Sequence, residues 1–167
     1  MATRPDTKLA AAVQETAAQP LDQTLLLSLV GYNCRRAYLA ITRDFDERMA
    51  TFDLRKVDFS VLSILGANPN ITQKRLSKAV NVSPPNLAIL LDRLEQRGLV
   101  LRQRNPLDKR SQTLVLTASG AKLLKEAEAE VSALEGDATA MLADAERAEL
   151  LRLLQKIFVQ DTPPPSD

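Results

Sequence analysis

The chain has 167 residues, 45% of them hydrophobic and 4% aromatic, with a net charge of +1, one cysteine and no histidine. This composition excludes an internal disulfide and the catalytic or zinc sites that depend on histidine, and neither common glycine-rich phosphate loop is present. We therefore expect neither an enzyme nor a bound metal or cofactor. No apolar run is long enough to span a membrane and no signal peptide is recognisable, so a cytoplasmic protein is expected.

The charges are segregated along the chain. Residues 73–111 hold nine basic and three acidic side chains, whereas residues 126–149 hold eight acidic side chains and one arginine. A basic middle beside an acidic flank is typical of a protein that presents one face to DNA. The alternative is two ordinary solvated helix faces.

The N-terminal third is predicted to be helical. Residues 1–19 read as a flexible leader, and residues 20–56 as a dimerisation and effector region built on one long helix from Leu21 to about Ala50. Tyr38, Ile41, Phe45 and Met49 keep a helical spacing in its second half.

Residues 57–117 are predicted to form a winged helix-turn-helix domain. A buried helix spans Val57–Ala67, and a shorter one follows Thr72, a good N-cap, burying Leu76, Ala79 and Val80. The next helix begins after Ser83 with Pro84 in its first turn. Its apolar residues recur at helical spacing: Leu87, Leu90, Leu91 and Leu94.

A charged hairpin follows this helix. Gly98 supplies the left-handed residue that ends a helix, and two extended segments, Leu99–Arg104 and Arg110–Leu116, flank a loop at residues 105–109. A short helix followed by a basic hairpin is the shape of a winged helix, which suits contact with a nucleic-acid backbone and groove.

Residues 118–160 are predicted to be dimerisation helices, with a flexible tail at 161–167. Gly136 is expected to bend the first of them. The last, at about Ala145–Val159, carries an apolar stripe that a small winged-helix core cannot cover; it consists of Leu150, Leu153, Leu154, Ile157 and Phe158. A homodimer is the natural solution. The fold class is thus mainly α with a small β-hairpin wing, flanked by N- and C-terminal dimerisation helices.

Three segments in combination resemble the MarR family of transcriptional regulators. They are LDRLEQRGLV (Leu91–Val100), the wing signature Asp108-Lys109-Arg110-Ser111, and LTASG (Leu116–Gly120). The resemblance covers roughly residues 21–160. It implies a homodimeric repressor that binds a pseudo-palindromic operator in double-stranded DNA and is released by a small ligand or an oxidant.

On that resemblance, the helix after Ser83 is the recognition helix. Ser83, Pro85 and Asn86 would lie near base edges, where asparagine can bond adenine with two hydrogen bonds. The scarcity of polar groups there predicts a larger share of shape readout. Gln73 and Lys74 would meet phosphates.

The wing would supply further DNA contacts. Arg110 would reach the minor groove while held by Asp108. The other predicted wing residues are Arg102, Arg104 and Lys109, which would bind phosphates, and Ser111 of the signature. For Arg93, both DNA contact and a helix-face salt bridge with Asp92 or Glu95 remain open; for Arg97 the salt bridge is favoured.

The effector region implied by the family includes residues of the first two helices: Tyr32, Arg35, Arg36, Tyr38, Phe59 and Ser63. Adjacent arginines near aromatic rings suit a carboxylate or phosphate. The segment GYNCRRAYLAI also resembles regulators of aromatic-acid breakdown, some of which respond to aromatic acyl-CoA thioesters. Alternatively, Arg35 and Arg36 pair with acidic side chains across the dimer.

Cys34 offers a redox alternative, because adjacent arginines favour a reactive thiolate and peroxide-sensing relatives place a cysteine on this helix. A small core residue is the more common role for such a cysteine. A winged-helix protein-interaction module without DNA binding is a further alternative, opposed by the basic wing.

Overall fold

The computed structural model describes residues 21–104 and 112–159. The chain forms two compact units, residues 1–38 and residues 39–167. The predicted leader at 1–19, the predicted tail at 161–167 and the tip of the predicted wing lie outside the described residues. The segment boundaries predicted at residues 56 and 117 remain predictions.

The first unit contains short helices in place of the first half of the predicted long one. Helix α1 spans Thr24–Leu27 and α2 spans Val30–Ile41, the latter ending in the second unit. The Ser28 hydroxyl donates to the Leu25 carbonyl (2.8 Å), and the Asn33 amide donates to the carbonyls of Leu27 and Leu29 (2.9 and 2.8 Å). Because these side chains compete for backbone carbonyls, the helix breaks at residues 28–29.

A second interruption follows α2. Helix α3 spans Phe45–Arg48, and a 3-10 turn spans Ala50–Phe52 and ends at Asp53, whose φ is +46°. Threonine and aspartate, which favour turns over helix interiors, occupy the break at residues 42–44. The prediction of a single helix from Leu21 to Ala50 is therefore wrong, although Phe45 and Met49 are buried as their spacing indicated.

The remaining helices of the DNA-binding region agree with the sequence prediction. Helix α4 spans Lys56–Ala67, α5 spans Gln73–Ala79 and α6 spans Pro84–Gln96. Leu87, Leu91 and Leu94 are fully buried, and Leu90 packs against the same core. Burial of Ala79 was predicted incorrectly: Ala79 is exposed, and the buried neighbour of Leu76 is Ser77.

A three-stranded antiparallel sheet forms the wing base. Strand β1 spans Ile71–Thr72, β2 spans Val100–Arg104 and β3 spans Gln112–Leu116, in the order β1-β3-β2. Ile71 pairs with Leu114, and Arg104 pairs with Gln112. The two hairpin strands were predicted, but β1 was not, because two residues show no alternation.

Two helices complete the chain: α7 at Ala118–Ala138 and α8 at Asp144–Phe158. The Thr117 hydroxyl caps α7 by accepting from the Gly120 amide (2.9 Å) and donates to the Gly98 carbonyl (2.7 Å). Helix α7 continues past Gly136 to Ala138, and the bend expected at Gly136 stays a prediction.

The core lies where α4, α5, α6, α7 and the sheet meet. Its fully buried side chains include Leu62, Leu65, Leu76, Leu87, Leu91, Leu94, Val100 and Leu114, with Leu124, Ala127 and Leu134 from α7. Among the described helices, none has the length and apolar character needed to cross a bilayer.

Candidate nucleic-acid interface

The first helix of the helix-turn-helix presents a basic surface. Thr72 caps α5 by accepting a hydrogen bond from the Arg75 amide (3.4 Å), as its position predicted. Lys74, Arg75 and Lys78 are exposed, and none forms an ion pair with any other residue in the described ranges. Their charges are available to phosphates. Gln73, at the first position of α5, is half-buried.

A hydrogen-bonded turn sets the direction of α6. The Ser77 hydroxyl donates to the Val82 carbonyl (2.6 Å), and the Val82 amide donates to the Ser77 carbonyl (3.1 Å). Between them Asn81 has φ +52°, a conformation that asparagine tolerates better than most residues. This reciprocal pair fixes the angle at which α6 leaves α5.

The start of α6 is exposed and uncharged. Ser83, Pro85 and Asn86 are all exposed to solvent. Ser83 occupies the N-cap position in an extended conformation, but its side chain makes no capping hydrogen bond. Its hydroxyl therefore stays available to an external partner, as does the Asn86 amide. The predicted recognition surface is brought together here.

Arg102 is held by the protein itself. Its guanidinium contacts the Asp92 carboxylate (2.5 Å) and forms a second ion pair with Glu95, both on α6. Burial is the largest single influence on the pKa of Arg102 and lowers it, but the Asp92 hydrogen bond and the two carboxylate charges together raise that pKa above its ordinary value. Arg102 thus bonds the wing to α6, a contact that the sequence did not predict, and its predicted phosphate contact stays a prediction.

Arg93 and Arg97 connect α6 to the region before and within α4. Arg93 pairs with the fully buried Asp58, which also accepts from the Arg55 amide (2.8 Å). Arg97 donates to the carbonyls of Phe52 (2.8 Å) and Asp53 (2.5 Å). The expected helix-face partners, Asp92 and Glu95, were wrong because they bind Arg102. The structure thus gives Arg93 a buried carboxylate as partner, and its predicted DNA contact stays a prediction.

Of the predicted wing residues, only Arg104 joins Arg102 within the described chain, and it is exposed at the end of β2. Asp108, Lys109, Arg110 and Ser111 lie outside the described residues. Their roles remain predictions.

The predicted effector residues fall on two helices, described separately. In the first unit, Tyr32, Arg35 and Arg36 lie at i, i+3 and i+4 on α2, and both arginines and Tyr38 are exposed. The Tyr32 hydroxyl donates to the Gln23 side-chain oxygen (3.0 Å). Cys34 on the same helix is an exposed free thiol. The assignment of Cys34 to a core is therefore not supported within this unit.

In the second unit, Phe59 and Ser63 lie one turn apart on α4. Phe59 packs against the core, whereas Ser63 lines an open cavity of about 740 Å³. The other walls of this cavity come from the end of α4, from β3 and from α7, and include Gly66, Pro69, Leu116, Leu124, Lys125 and Glu128. The structure thus gives Ser63 a cavity but does not give Phe59 the same one.

Comparison with known proteins identifies the family and the function of this fold. Residues 54–112 match the MarR family. A putative transcriptional regulatory protein for the hcr operon of Thauera aromatica is 30% identical over 139 residues, covering 83% of this chain and 84% of the relative. The chain belongs to the MarR family. It is a DNA-binding transcriptional repressor with a winged helix-turn-helix, and the curated relatives are regulators of transcription rather than enzymes.

Solved structures support the same assignment. The repressor CouR bound to a 23-mer DNA duplex has 36% identity and a TM-score of 0.77, covering 83% of this chain and 99% of that one. CouR bound to p-coumaroyl-CoA has 34% identity and a TM-score of 0.72, covering 83% and 97%. MarR from E. coli without ligand has 30% identity and a TM-score of 0.67, covering 78% and 97%.

Sequence reasoning missed the residues that hold this interface in place. Asp58 was not singled out, and Asp92 and Glu95 were assigned to the wrong arginines. A signal was available for Asp58, because a carboxylate three residues after the start of an apolar helix commonly binds a backbone amide at the helix end. Nothing in the local sequence indicates that Arg93 reaches it.

Proposed function

We propose that this MarR-family protein is a homodimeric repressor that binds a pseudo-palindromic operator and is released by a small aromatic acid or its coenzyme A thioester. The observation that carries the DNA part is the distribution of charge around the helix-turn-helix. Lys74, Arg75 and Lys78 are exposed on α5, whereas Arg93, Arg97 and Arg102 are paired with carboxylates or carbonyls. Phosphates would meet α5, and base edges would meet the uncharged start of α6.

The proposed contacts follow from this arrangement. Asn86 would bond adenine in the major groove, beside Ser83 and Pro85. Gln73 and Lys74 would hold the phosphate backbone. Arg104 would continue the basic surface along the wing, whose predicted minor-groove residue is Arg110. The similarity to CouR bound to a DNA duplex supports this mode of binding.

The test is operator binding as a function of salt. A duplex selected by the purified protein from a random pool would be titrated with wild type, Lys74→Ala and Arg110→Ala by fluorescence anisotropy. Removing a side chain that binds a phosphate should flatten the slope of log K against log salt by about 1 for each phosphate no longer neutralised. Arg110→Ala should weaken binding by more than about tenfold, as removal of a narrow-groove arginine implies.

A matched control is Lys122→Ala. Lys122 is exposed on α7 near the base of the hairpin, at the opposite end of the strands from the wing tip. Its removal should leave the salt slope unchanged. Binding that does not depend on salt in the wild type, or equal slopes for all variants, would exclude the proposed interface.

The homodimer is supported by apolar surface that each unit leaves exposed. In the first unit the exposed residues include Leu25, Leu27, Leu29 and Val30; in the second they include Leu150, Leu151, Leu153, Ile157 and Phe158 of α8. Apolar surface on this scale is typical of an interface, and MarR-family proteins are dimeric. Light scattering should give twice the protomer mass.

The effector proposal rests on chemistry and on one related protein. CouR binds p-coumaroyl-CoA at 34% identity to this chain, and Arg35 and Arg36 offer exposed cationic groups near Tyr32 on α2. In the second unit, taken separately, Ser63 is a polar group at the edge of a cavity large enough for an aromatic ring. Shifting the protein from nearly all bound to nearly none requires a differential affinity of about 5 kcal/mol between its two states.

Titration of the protein–operator complex with benzoates, cinnamates and their coenzyme A thioesters tests this proposal. Arg35→Ala or Arg36→Ala should raise the concentration needed for release without changing operator affinity in the absence of ligand. If the arginines instead pair across the dimer, the same variants should weaken dimerisation, and light scattering should give an average mass closer to that of one protomer. Release by hydroperoxide that disappears in Cys34→Ser, with no response to any aromatic compound, would favour the redox alternative, which the exposure of Cys34 keeps open.

A further inference from the structure

One apolar side chain on α6 faces solvent on the surface that the proposed function places against DNA. Ile89 is 70% exposed, in a helix whose other large apolar residues are fully buried (Leu87, Leu91 and Leu94) or partly buried against the core (Leu90). A helix turns by about 100° per residue, so Ile89 lies about 160° around the axis from both Leu87 and Leu91. Packing of the protomer therefore does not explain an isoleucine at this position.

Local helix stability does not explain it either. Isoleucine is a poorer helix former than alanine, lysine or glutamine, because its branched side chain loses rotamer freedom against the preceding turn. Ile89 therefore contributes less to the stability of α6 than those residues would, and its exposed side chain is available to an external partner that offers apolar surface.

The position of Ile89 relative to Pro85 and Asn86 indicates what that partner is. Ile89 follows Pro85 by four residues and Asn86 by three, so all three share one helix face and all three are exposed. Asp92, one turn further on, is ion-paired with Arg102, which weakens its repulsion of phosphates. The face continues the proposed base-reading surface.

The major groove of DNA offers one apolar group for direct reading, the C5 methyl of thymine. We propose that Ile89 is a specificity-determining residue that selects a thymine in each half-site by apolar contact with this methyl, next to the base pair that Asn86 contacts. The inference rests on the proposed function of α6 in the major groove, and it deepens that function by assigning the base class read at one position.

The size of the effect follows from burial of one methyl group. Removal of that methyl should weaken binding by about fourfold in each half-site and about 15-fold in a symmetric operator. Ile89→Ala should weaken binding to the selected duplex by a similar factor.

The experiment replaces each thymine of the selected duplex by deoxyuridine, which lacks only the methyl group, symmetrically in both half-sites. Wild type, Ile89→Val, Ile89→Ala and the control Gln96→Ala are titrated on every duplex. Gln96 is exposed at the far end of the same helix. Replacement of one thymine position should weaken binding about 15-fold with wild type and Gln96→Ala, less with Ile89→Val, and not at all with Ile89→Ala.

Several results would overturn the inference. The selected duplex could lack a thymine near the adenine that Asn86 contacts. Wild type could bind every deoxyuridine duplex as tightly as the thymine duplex. The Ile89→Ala variant could lose as much affinity as wild type when the thymine methyl is removed. Each leaves the proposed function standing if wild type still binds the duplex in a salt-dependent way. Failure of wild type to bind any duplex would instead refute the proposed function. Circular dichroism confirms that the variants are folded, and Ile89→Val retains most of the side chain if Ile89→Ala is unstable.

Discussion

Two glycines in helix α7 should respond to alanine in opposite directions. A Cβ added to Gly120 would fall well inside contact distance of the Leu99 carbonyl oxygen, 2.9 Å from Leu116 Cδ1 and 3.1 Å from the Leu99 carbonyl carbon. Two of these three atoms belong to the backbone, so they cannot move aside by changing a rotamer. A Cβ added to Gly136 would meet nothing within 4 Å.

The close approach at Gly120 is built into the junction of α7 with the wing. The Thr117 amide donates to the Leu99 carbonyl (3.0 Å), and the Thr117 hydroxyl donates to the Gly98 carbonyl (2.7 Å). Relief of the clash in Gly120→Ala would push the first turn of α7 away from Leu99 and stretch both bonds. Overpacking of this kind costs about 1–3 kcal/mol, and broken hydrogen bonds add about 1 kcal/mol.

Helix propensity acts against this destabilisation but is smaller, at most about 1 kcal/mol for glycine to alanine. We therefore expect Gly120→Ala to lower the free energy of unfolding by about 2 kcal/mol and the Tm by about 4–8 °C. Gly136→Ala should raise stability by about 0.5–1 kcal/mol.

Thermal and urea unfolding, followed by circular dichroism at 222 nm, measure both effects. The protomer concentration must be equal throughout, since the stability of a dimer depends on it. Gly136→Ala controls for the general effect of alanine in this helix. A Gly120→Ala variant as stable as wild type, or one stabilised like Gly136→Ala, would refute the packing explanation.

Further predictions concern the arginine bonds and α8. Arg102→Gln should weaken operator binding because it breaks the bond between the wing and α6, but it should leave the slope of log K against log salt unchanged. Lys74→Ala should flatten that slope. Equal flattening by both variants would show that Arg102 contacts a phosphate. Arg93→Ala leaves the buried Asp58 without its ion-pair partner and should lower the free energy of unfolding by about 1–3 kcal/mol, measured by urea titration. A decrease below about 0.5 kcal/mol would contradict this prediction, since ordinary surface substitutions have effects of that size. Deletion from residue 145 onward should give an aggregating or unfolded chain by light scattering and circular dichroism, and a folded monomer that still binds a full operator would be the contrary result.

The helix ends of the DNA-binding region were predictable because each depends on groups a few residues apart. The Thr72 and Thr117 hydroxyls accept from amides three residues later, and Gly98 adopts φ +69° at the end of α6. The leucine stripe of α6 was equally predictable, since helical spacing alone puts it on one face. The family resemblance added the order of the elements.

The breaks in the first helix were harder to predict. Ser28 and Asn33 bond carbonyls in their own neighbourhood, but the same residues also occur in continuous helices. The apolar spacing across residues 38–49 favoured one continuous helix. The turn-favouring threonine and aspartate at residues 42–44 nevertheless interrupt it. Strand β1 has only two residues and exists because β3 lies beside it.

The partners of the arginines were decided by tertiary structure alone. The sequence determined that the middle of the chain is basic, but it did not determine which charges face outward. Arg93 meets a carboxylate 35 residues earlier, and Arg97 meets carbonyls 44 and 45 residues earlier. Such contacts depend on how α4, α6 and β2 pack, whereas charge type and spacing along one helix carry no information about residues so distant in sequence. Folding therefore left Lys74, Arg75 and Lys78 exposed and turned three arginines into bonds that hold α6.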